Sequence, residues 1–171
     1  MSTHDHHLCH AAGGFQTSPY NSATVVVVDA VGEYATASIY SAEYKNGRAA
    51  YQRLWSQSYP HSIGLFYSAV TERCGLRPGD EEYITMGMAA WGNPIYVDYL
   101  RDRSIADAEA CLFKENLHTG FGELLPGACA EDIAASAQVL TEELLSNIMH
   151  RARKLGSSSN LVYSGGVALN C

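Results

Sequence analysis

Two histidines near the start of the chain, His6 and His10, are spaced so that they could bind one ligand together. Residues four apart lie one turn apart on the same face of a helix, so both imidazoles can point at one metal ion. The alternative is a solvated chain end, since residues 4–7 (HDHH) also resemble the remnant of a tag, and a single H-x-x-x-H pair is a weak motif. A metal site and a solvated end both stay open at this point.

Asp29 is the third residue with suitable chemistry, because it follows a run of four valines in residues 23–30. Such a run is typical of a buried strand, where an unpaired carboxylate would be costly. The alternative is an Asx turn onto the loop at Gly32. Two imidazoles and one carboxylate would bind iron, zinc or manganese and keep open positions for a substrate oxygen. The three residues together therefore predict a divalent metal site.

Two glycine turns follow predicted strands, at residues 29–33 and at residues 164–167. Glycine lets backbone N–H groups approach an anion closely, and Gly165-Gly166 precedes the predicted start of a helix, where phosphate is favoured. Simple turn chemistry is the alternative for each turn. Two such turns, one of them beside a candidate metal ligand, favour a nucleotide phosphate.

His61 stands between a proline and Ser62, directly before a predicted helix. Ser62 is a suitable N-cap, and His61 is a candidate polar group at the mouth of the site. Capping alone is the other explanation of this segment.

Turn signals and hydrophobic periodicity divide the chain into the elements that would position these residues. The first half favours a short helix broken at Gly13-Gly14, and then three strands joined by tight turns. The second half favours a long amphipathic helix and a strand that runs into a glycine turn, whereas residues 95–128 show no clear pattern. The predicted elements are helix 4–12, strands 23–30, 34–42 and 48–54, helices 62–75, 81–90 and 130–155, strand 160–164 and a helix that begins at Val167.

Length, composition and element order limit the class of protein. The 171 residues, 47% of them hydrophobic, fit one domain of α/β fold, in which an antiparallel meander of three strands continues into a parallel strand through crossover helices. A net charge of −7 disfavours nucleic acid as a partner. No apolar run suits a membrane, no signal peptide is evident, and five scattered cysteines without a CxxC pair suit the cytoplasm. The chain stops at Cys171, where a helix has just begun, so we expect a fragment.

Six segments of the chain are similar to segments of the O-carbamoyltransferases of the NodU and antibiotic-tailoring type. They stand in the family's order and extend over the whole chain, which makes the resemblance specific. The segments are DHHLCHAAGGF (5–15), VVVVDAVGEYATAS (25–38), YPHSIGLFYSAVT (59–71), EEYITMGMAAWG (81–92), EDIAASAQ (131–138) and YSGGVALNC (163–171).

The resemblance implies an incomplete lobe of the actin/Hsp70/sugar-kinase-like (RNase H-like) fold. Residues 1–20 would be the end of the first lobe, and residues 21–171 would be most of the second. The flanking lobe would be absent, as would the YrdC-like domain that makes carbamoyl-adenylate from carbamoyl phosphate and ATP. Because an apolar face would then lack its partner lobe, we expect self-association.

The resemblance also implies a reaction, the transfer of a carbamoyl group from carbamoyl-adenylate to a hydroxyl of a small-molecule acceptor. A divalent metal, usually iron, would polarise the carbamoyl carbonyl, and His7 would contact that carbonyl. By the resemblance, the metal ligands are His6, His10 and Asp29, and the residues beside the adenosine and phosphate are Gly32, Gly165, Gly166 and Asn170.

Two positions depart from the family's pattern. Ala30 replaces the first glycine of D-G-x-G-E, and Ile84 replaces the lysine of E-Y-K-x-M-G, which removes a cation. The alternatives are a truncated relative that binds metal or nucleotide without turnover, and a tRNA threonylcarbamoyl transferase of the TsaD type. The segments PHSIGLFYS and SGGVALNC favour the small-molecule carbamoyltransferases.

Overall fold

The computed structural model describes residues 4–170, which form a mixed α/β structure. The α-helices are α1 (His6–Thr17), α2 (Ile63–Arg73), α3 (Glu82–Ala89), α4 (Val97–Ser104) and α5 (Ala130–Leu155). The strands are β1 (Ser22–Gly32), β2 (Ala35–Lys45), β3 (Arg48–Ser58), β4 (Ile105–Asp107), β5 (Leu112–Phe113) and β6 (Leu161–Ser164). Short 3₁₀ helices span Leu117–Thr119 and Gly166–Leu169.

The main sheet has four strands in the order β3-β2-β1-β6. Its first three strands along the chain form an antiparallel meander, with Val26 opposite Ile39 and Ile39 opposite Trp55. β6 joins the other side of β1 in parallel, with Tyr163 opposite Val26. The predicted meander that continues into a parallel strand is therefore confirmed.

Both faces of this sheet are covered, which explains the run of four valines in β1. Side chains alternate between the two faces of a strand. Val26 and Val28 pack in the core with α2 and α5, whereas Val25 and Val27 pack beneath α1. A central strand that is buried on both faces shows a continuous apolar run instead of an alternating one.

The long amphipathic helix predicted over residues 130–155 is confirmed as α5. Its apolar stripe is buried against the sheet and α2, and consists of Ile133, Ala137, Leu140, Leu144 and Ile148. Gly156 follows the helix in an extended conformation and lies so close to β1 that a Cβ there would be 1.9 Å from Thr24 Oγ1. Close packing, and not a left-handed turn, explains this glycine.

The prediction that Gly13-Gly14 breaks the first helix is wrong, because α1 continues to Thr17. A Cβ at Gly14 would lie 2.9 Å from Val162 Cγ1, so the glycine lets α1 approach β6. The next residue, Phe15, is fully buried beneath the sheet. Burial of this face outweighs the weak helix propensity of glycine.

Several other boundaries differ from the prediction. Each meander strand continues for two to four residues beyond its predicted end. The reason is that backbone pairing between strands, such as that of Ala35 with Ser58, continues past the residues that show the apolar pattern of a strand. The helix expected from Val167 is a single turn of 3₁₀ helix. Residues 95–128 contain α4, β4 and β5, and they contribute Phe113 and Leu117 to the core. Within residues 4–170, no helix has the length and apolarity that a membrane crossing requires.

Candidate metal centre and adjoining cavity

His6 and His10 lie on the first turns of α1 and face the end of β1. The Asp5 side chain caps the helix by accepting a bond from the Leu8 backbone N–H at 2.9 Å. In this position the Nε2 atoms of His6 and His10 lie 2.9 and 3.1 Å from Asp29 Oδ2, and 3.1 Å from each other. The three residues that the sequence predicts as metal ligands are therefore brought together.

Hydrogen bonds alone do not satisfy this triangle of three atoms. An imidazole Nε2 carries either a hydrogen or a lone pair. If both Nε2 atoms carry a hydrogen, the contact between the two histidines brings two donors together. If one Nε2 atom carries a lone pair instead, that lone pair faces the carboxylate oxygen of Asp29, so two acceptors meet. Two ligand atoms about 2.1 Å from one ion and at right angles around it lie about 3.0 Å apart. The observed spacing of 2.9–3.1 Å fits three neighbouring ligands of one octahedral ion.

Asp29 is ionised in this environment. Burial favours the neutral carboxyl, but the hydrogen bond with His6, the bond from the Ala30 backbone N–H and the charges of His10 and His6 together hold the pKa of Asp29 below its ordinary value. Oδ1 accepts the Ala30 bond at 2.8 Å, which leaves Oδ2 to the two imidazoles. An ionised carboxylate is the form that binds a metal.

His7 lies on another side of α1 and is buried between the helix and β2. Its Nδ1 is 2.9 Å from Ser38 Oγ, and its Nε2 has no partner among the described residues. Burial is the main cause that holds the pKa of His7 below its ordinary value, which favours the neutral imidazole. A contact of His7 with a substrate carbonyl stays a prediction.

Gly32 contacts histidines where a nucleotide contact was expected. A Cβ at Gly32 would lie 2.5 Å from the Cδ2 atoms of both His6 and His7, so this glycine leaves room for the two rings. Its role beside a nucleotide stays a prediction.

A cavity of about 390 Å³ opens beside Asp29, between the end of β1, α2, α3 and the 3₁₀ helix Gly166–Leu169. Two of the predicted nucleotide-binding residues, Gly166 and Asn170, line it. Among the described residues, no lysine or arginine lines the cavity. Three acidic residues, Asp29, Asp80 and Glu82, are on its wall, next to apolar side chains such as Met86.

The second glycine turn lies directly against β1 and Asp29. Gly165 has a φ of +99°, a region that favours glycine, and a Cβ there would lie 2.2 Å from Val28 O. A Cβ at Gly166 would lie 2.9 Å from Asp29 Oδ1. The turn therefore connects the cavity wall to the carboxylate of the candidate metal centre.

Tyr67 and Gln138 belong to this region although the sequence analysis did not select them. Tyr67 lines the cavity and its hydroxyl donates to Gln138 Oε1 at 2.8 Å, and Gln138 also bonds to Asn170. The sequence contains no signal for Gln138, because it is turned about 100° around α5 from the buried Ala137 and lies outside the apolar stripe. Nothing in the sequence indicated that Tyr67 would be its partner.

His61 has structural partners away from the three candidate ligands. Its Nδ1 accepts a bond from the Phe113 backbone N–H at 3.1 Å, and its carbonyl accepts one from Thr36 Oγ1 at 2.5 Å. Ser62 caps α2, as predicted, by accepting from Leu65 N. His61 is not on the wall of the cavity, so its catalytic role stays a prediction.

The whole chain, residues 1–171, matches the family model described as carbamoyltransferase N-terminus. An uncharacterised protein of Synechocystis is 35% identical over 189 residues, which cover 98% of this chain and 30% of that protein. The nodulation protein NolO of Bradyrhizobium diazoefficiens is 25% identical over 98% of this chain and 32% of its own length. This chain thus spans about a third of the length of these two relatives. It belongs to the carbamoyltransferase N-terminal family.

Proposed function

We propose that this chain is the metal- and nucleotide-binding part of an enzyme that transfers a carbamoyl group from carbamoyl-adenylate to a hydroxyl of a small-molecule acceptor. The observation that carries the proposal is the position of Asp29, which faces two imidazoles through Oδ2 and the cavity turn through Oδ1. Family membership supports carbamoyl transfer as the reaction. The meander extended by a parallel strand agrees with the proposed lobe of an actin-like fold.

His6, His10 and Asp29 would hold one divalent ion, with iron proposed ahead of zinc and manganese. Two histidines and one carboxylate are the ligand set of non-haem Fe(II) sites that keep open positions. When bound, the ion supplies a Lewis acid that polarises a carbonyl oxygen. The chain's own contribution is orientation, since Asp5 caps α1 and Gly32 leaves space for the His6 ring.

The cavity would hold the nucleoside of carbamoyl-adenylate, with its phosphate toward Gly165-Gly166. Backbone N–H groups of a glycine turn are suitable donors to a phosphate. The absence of lysine and arginine from the described lining suits a nucleoside better than a triphosphate. Apolar side chains such as Met86 and Val167 would keep water away from the activated carbonyl.

Metal analysis tests the first part of the proposal. The purified chain, loaded anaerobically with Fe(II), Zn(II) or Mn(II) and desalted, should retain about one ion per chain by mass spectrometry, as a site of three protein ligands predicts. His10→Ala should lose this ion, whereas His150→Ala, which changes an exposed histidine on α5, should keep it. Equal metal content in His10→Ala and the wild type would refute the site.

Binding of AMP by the metal-loaded chain tests the second part, with isothermal titration calorimetry as the measurement. We expect saturable binding at one site. A chain that retains the metal but binds no AMP at millimolar concentration would refute the nucleotide part and leave a metal-binding module.

A further inference from the structure

Gln138 extends from α5 to the cavity wall and joins two of its residues. Oε1 accepts bonds from the Tyr67 hydroxyl at 2.8 Å and from Asn170 Nδ2 at 3.2 Å. Nε2 donates to Asn170 Oδ1 at 2.8 Å and to Glu142 Oε1 at 3.0 Å. The amide of Gln138 therefore uses both of its hydrogens and both acceptor positions.

The partners of Gln138 fix the orientation of its amide. A carboxylate such as that of Glu142 only accepts hydrogen bonds, so it selects the Nε2 side. Turning the amide over would place Oε1 against this carboxylate. Burial raises the pKa of Tyr67 to about 12, so the phenol keeps its proton and donates to Oε1.

Asn170 directly follows the 3₁₀ helix Gly166–Leu169, so its bonds with Gln138 anchor one end of this wall. The other end is Gly166, which lies against Asp29. Between the two ends, Val167 and Leu169 line the cavity, and Leu169 is 82% exposed. A wall of five residues with so little burial depends on its anchors for a fixed position.

We propose that Gln138 is a positioning residue, which acts through Asn170 and Tyr67 to hold the wall of residues 166–170 in the arrangement that binds the nucleoside. The identity of this ligand rests on the proposed function. Asn170 Oδ1 accepts one bond from Gln138 and keeps a second lone pair, which a ribose hydroxyl or an amino group of a base can fill. Fixing the Asn170 amide before the ligand binds lowers the entropic cost of binding.

AMP binding to the metal-loaded chain tests this role. Gln138→Ala should bind AMP about tenfold more weakly, the effect of one lost and ordered hydrogen-bonding group. Its metal content and far-ultraviolet circular dichroism should equal those of the wild type. The matched control is Gln52→Ala, which changes an exposed glutamine on β3 and should leave the AMP dissociation constant unchanged. If Gln138 only stabilised the fold, Gln138→Ala would lower the melting temperature without changing the AMP dissociation constant, and that result would refute the positioning role.

Exchange of the amide and the carboxylate between positions 138 and 142 tests which bond of Gln138 matters. Gln138→Glu alone places a carboxylate beside Glu142 and against Asn170 Oδ1, which loses its donor, so it should weaken AMP binding about as much as Gln138→Ala. Gln138→Glu combined with Glu142→Gln restores a donor opposite an acceptor between the two positions, but it leaves a carboxylate oxygen against Asn170 Oδ1. This double variant should therefore bind AMP as weakly as Gln138→Glu, and a return to the wild-type affinity would show that the bond to Asn170 does not position the wall.

The outcomes distinguish this inference from the function on which it rests. If the wild type binds AMP and Gln138→Ala binds it equally well, the positioning role alone is overturned. If the metal-loaded wild type binds no AMP, the proposed nucleotide site fails and the inference fails with it. If Gln138→Ala does not fold, Asn170→Ala removes the two bonds between Gln138 and Asn170 from the other side, and unchanged affinity in that variant overturns the inference.

Discussion

Gly166 lies so close to Asp29 that a Cβ on the glycine would be 2.9 Å from the carboxylate Oδ1. The other oxygen of the same carboxylate, Oδ2, faces His6 and His10. The Asp29 side chain, itself a candidate metal ligand, therefore lies between the cavity turn and the two histidines. A change at Gly166 should therefore reach the two histidines through movement of this carboxylate.

Gly166→Val should impair nucleotide binding far more than metal binding. The valine side chain would enter the cavity where the phosphate is proposed, so AMP binding should weaken by at least tenfold, an effect of about 1.4 kcal/mol or more. The carboxylate is the movable end of a side chain, so the chain should still take up one metal ion at saturation. Calorimetry for AMP and mass spectrometry for metal measure the two effects.

The control for this variant is Gly87→Val, because Gly87 is an exposed glycine on α3 and a Cβ there would meet nothing within 4 Å. It should bind AMP as the wild type does. Wild-type AMP binding by Gly166→Val would contradict the assignment of the phosphate to this turn. The positive φ of this turn is at Gly165 and not at Gly166, so the expected effect at Gly166 is one of space.

Gly32→Ala should reduce metal binding more than AMP binding, which is the reverse of the effect expected for Gly166→Val. Its methyl group would lie 2.5 Å from ring carbons of both His6 and His7, so the His6 ring must move away from Asp29. We expect at least a tenfold loss of metal affinity, within the range seen when residues that orient metal ligands are changed. Gly13→Ala is the matched control, since a Cβ at that position of α1 would meet nothing within 4 Å. Equal metal affinity in both variants would show that the ring position does not depend on Gly32.

The fold was predictable where one physical effect dominates the local pattern. The valine run of β1 indicated burial on both faces, and the stripe from Ile133 to Ile148 indicated α5. The prediction failed at Gly13-Gly14, where tertiary packing of α1 on β6 outweighs local propensity. The secondary structure of residues 95–128 could not be predicted, because core packing and side-chain hydrogen bonds stabilise its short elements. One such bond joins Tyr96 N to Ser136 Oγ.

The candidate site was predictable only in its local parts. The helical spacing of His6 and His10 and the position of Asp29 at the end of a buried strand are visible in the sequence, and the structure brings all three together. The hydrogen bonds of Gln138 connect it to Tyr67, 71 positions earlier in the chain, and to Asn170, 32 positions later. Hydrophobic periodicity gives no information on contacts between residues so far apart in the sequence. The same is true of the contact between His7 and Ser38.

Removal of metal should lower the thermal stability of the chain. An ion that binds the folded state and not the unfolded chain stabilises the fold by about 2.7 kcal/mol when its free concentration is a hundred times the dissociation constant. We expect a chelator to lower the melting temperature of the iron-loaded wild type by several degrees, and to leave that of His10→Ala unchanged. Differential scanning calorimetry with and without the chelator is the measurement. An equal decrease in both proteins would indicate that the ion binds elsewhere.

Phe66→Ala should destabilise the fold without specifically affecting the metal ligands. Phe66 on α2 is fully buried and its ring lies 5.9 Å from that of Phe113 and 6.0 Å from that of Phe121. Truncation of such a side chain costs about 3–5 kcal/mol in the free energy of unfolding, because apolar contacts are lost and a cavity remains. Urea unfolding followed by circular dichroism measures this cost, and Tyr34→Ala, at an 81% exposed position, should change it by less than about 0.5 kcal/mol. Similar midpoints for the two variants would show that the cluster around Phe66 contributes little to the core.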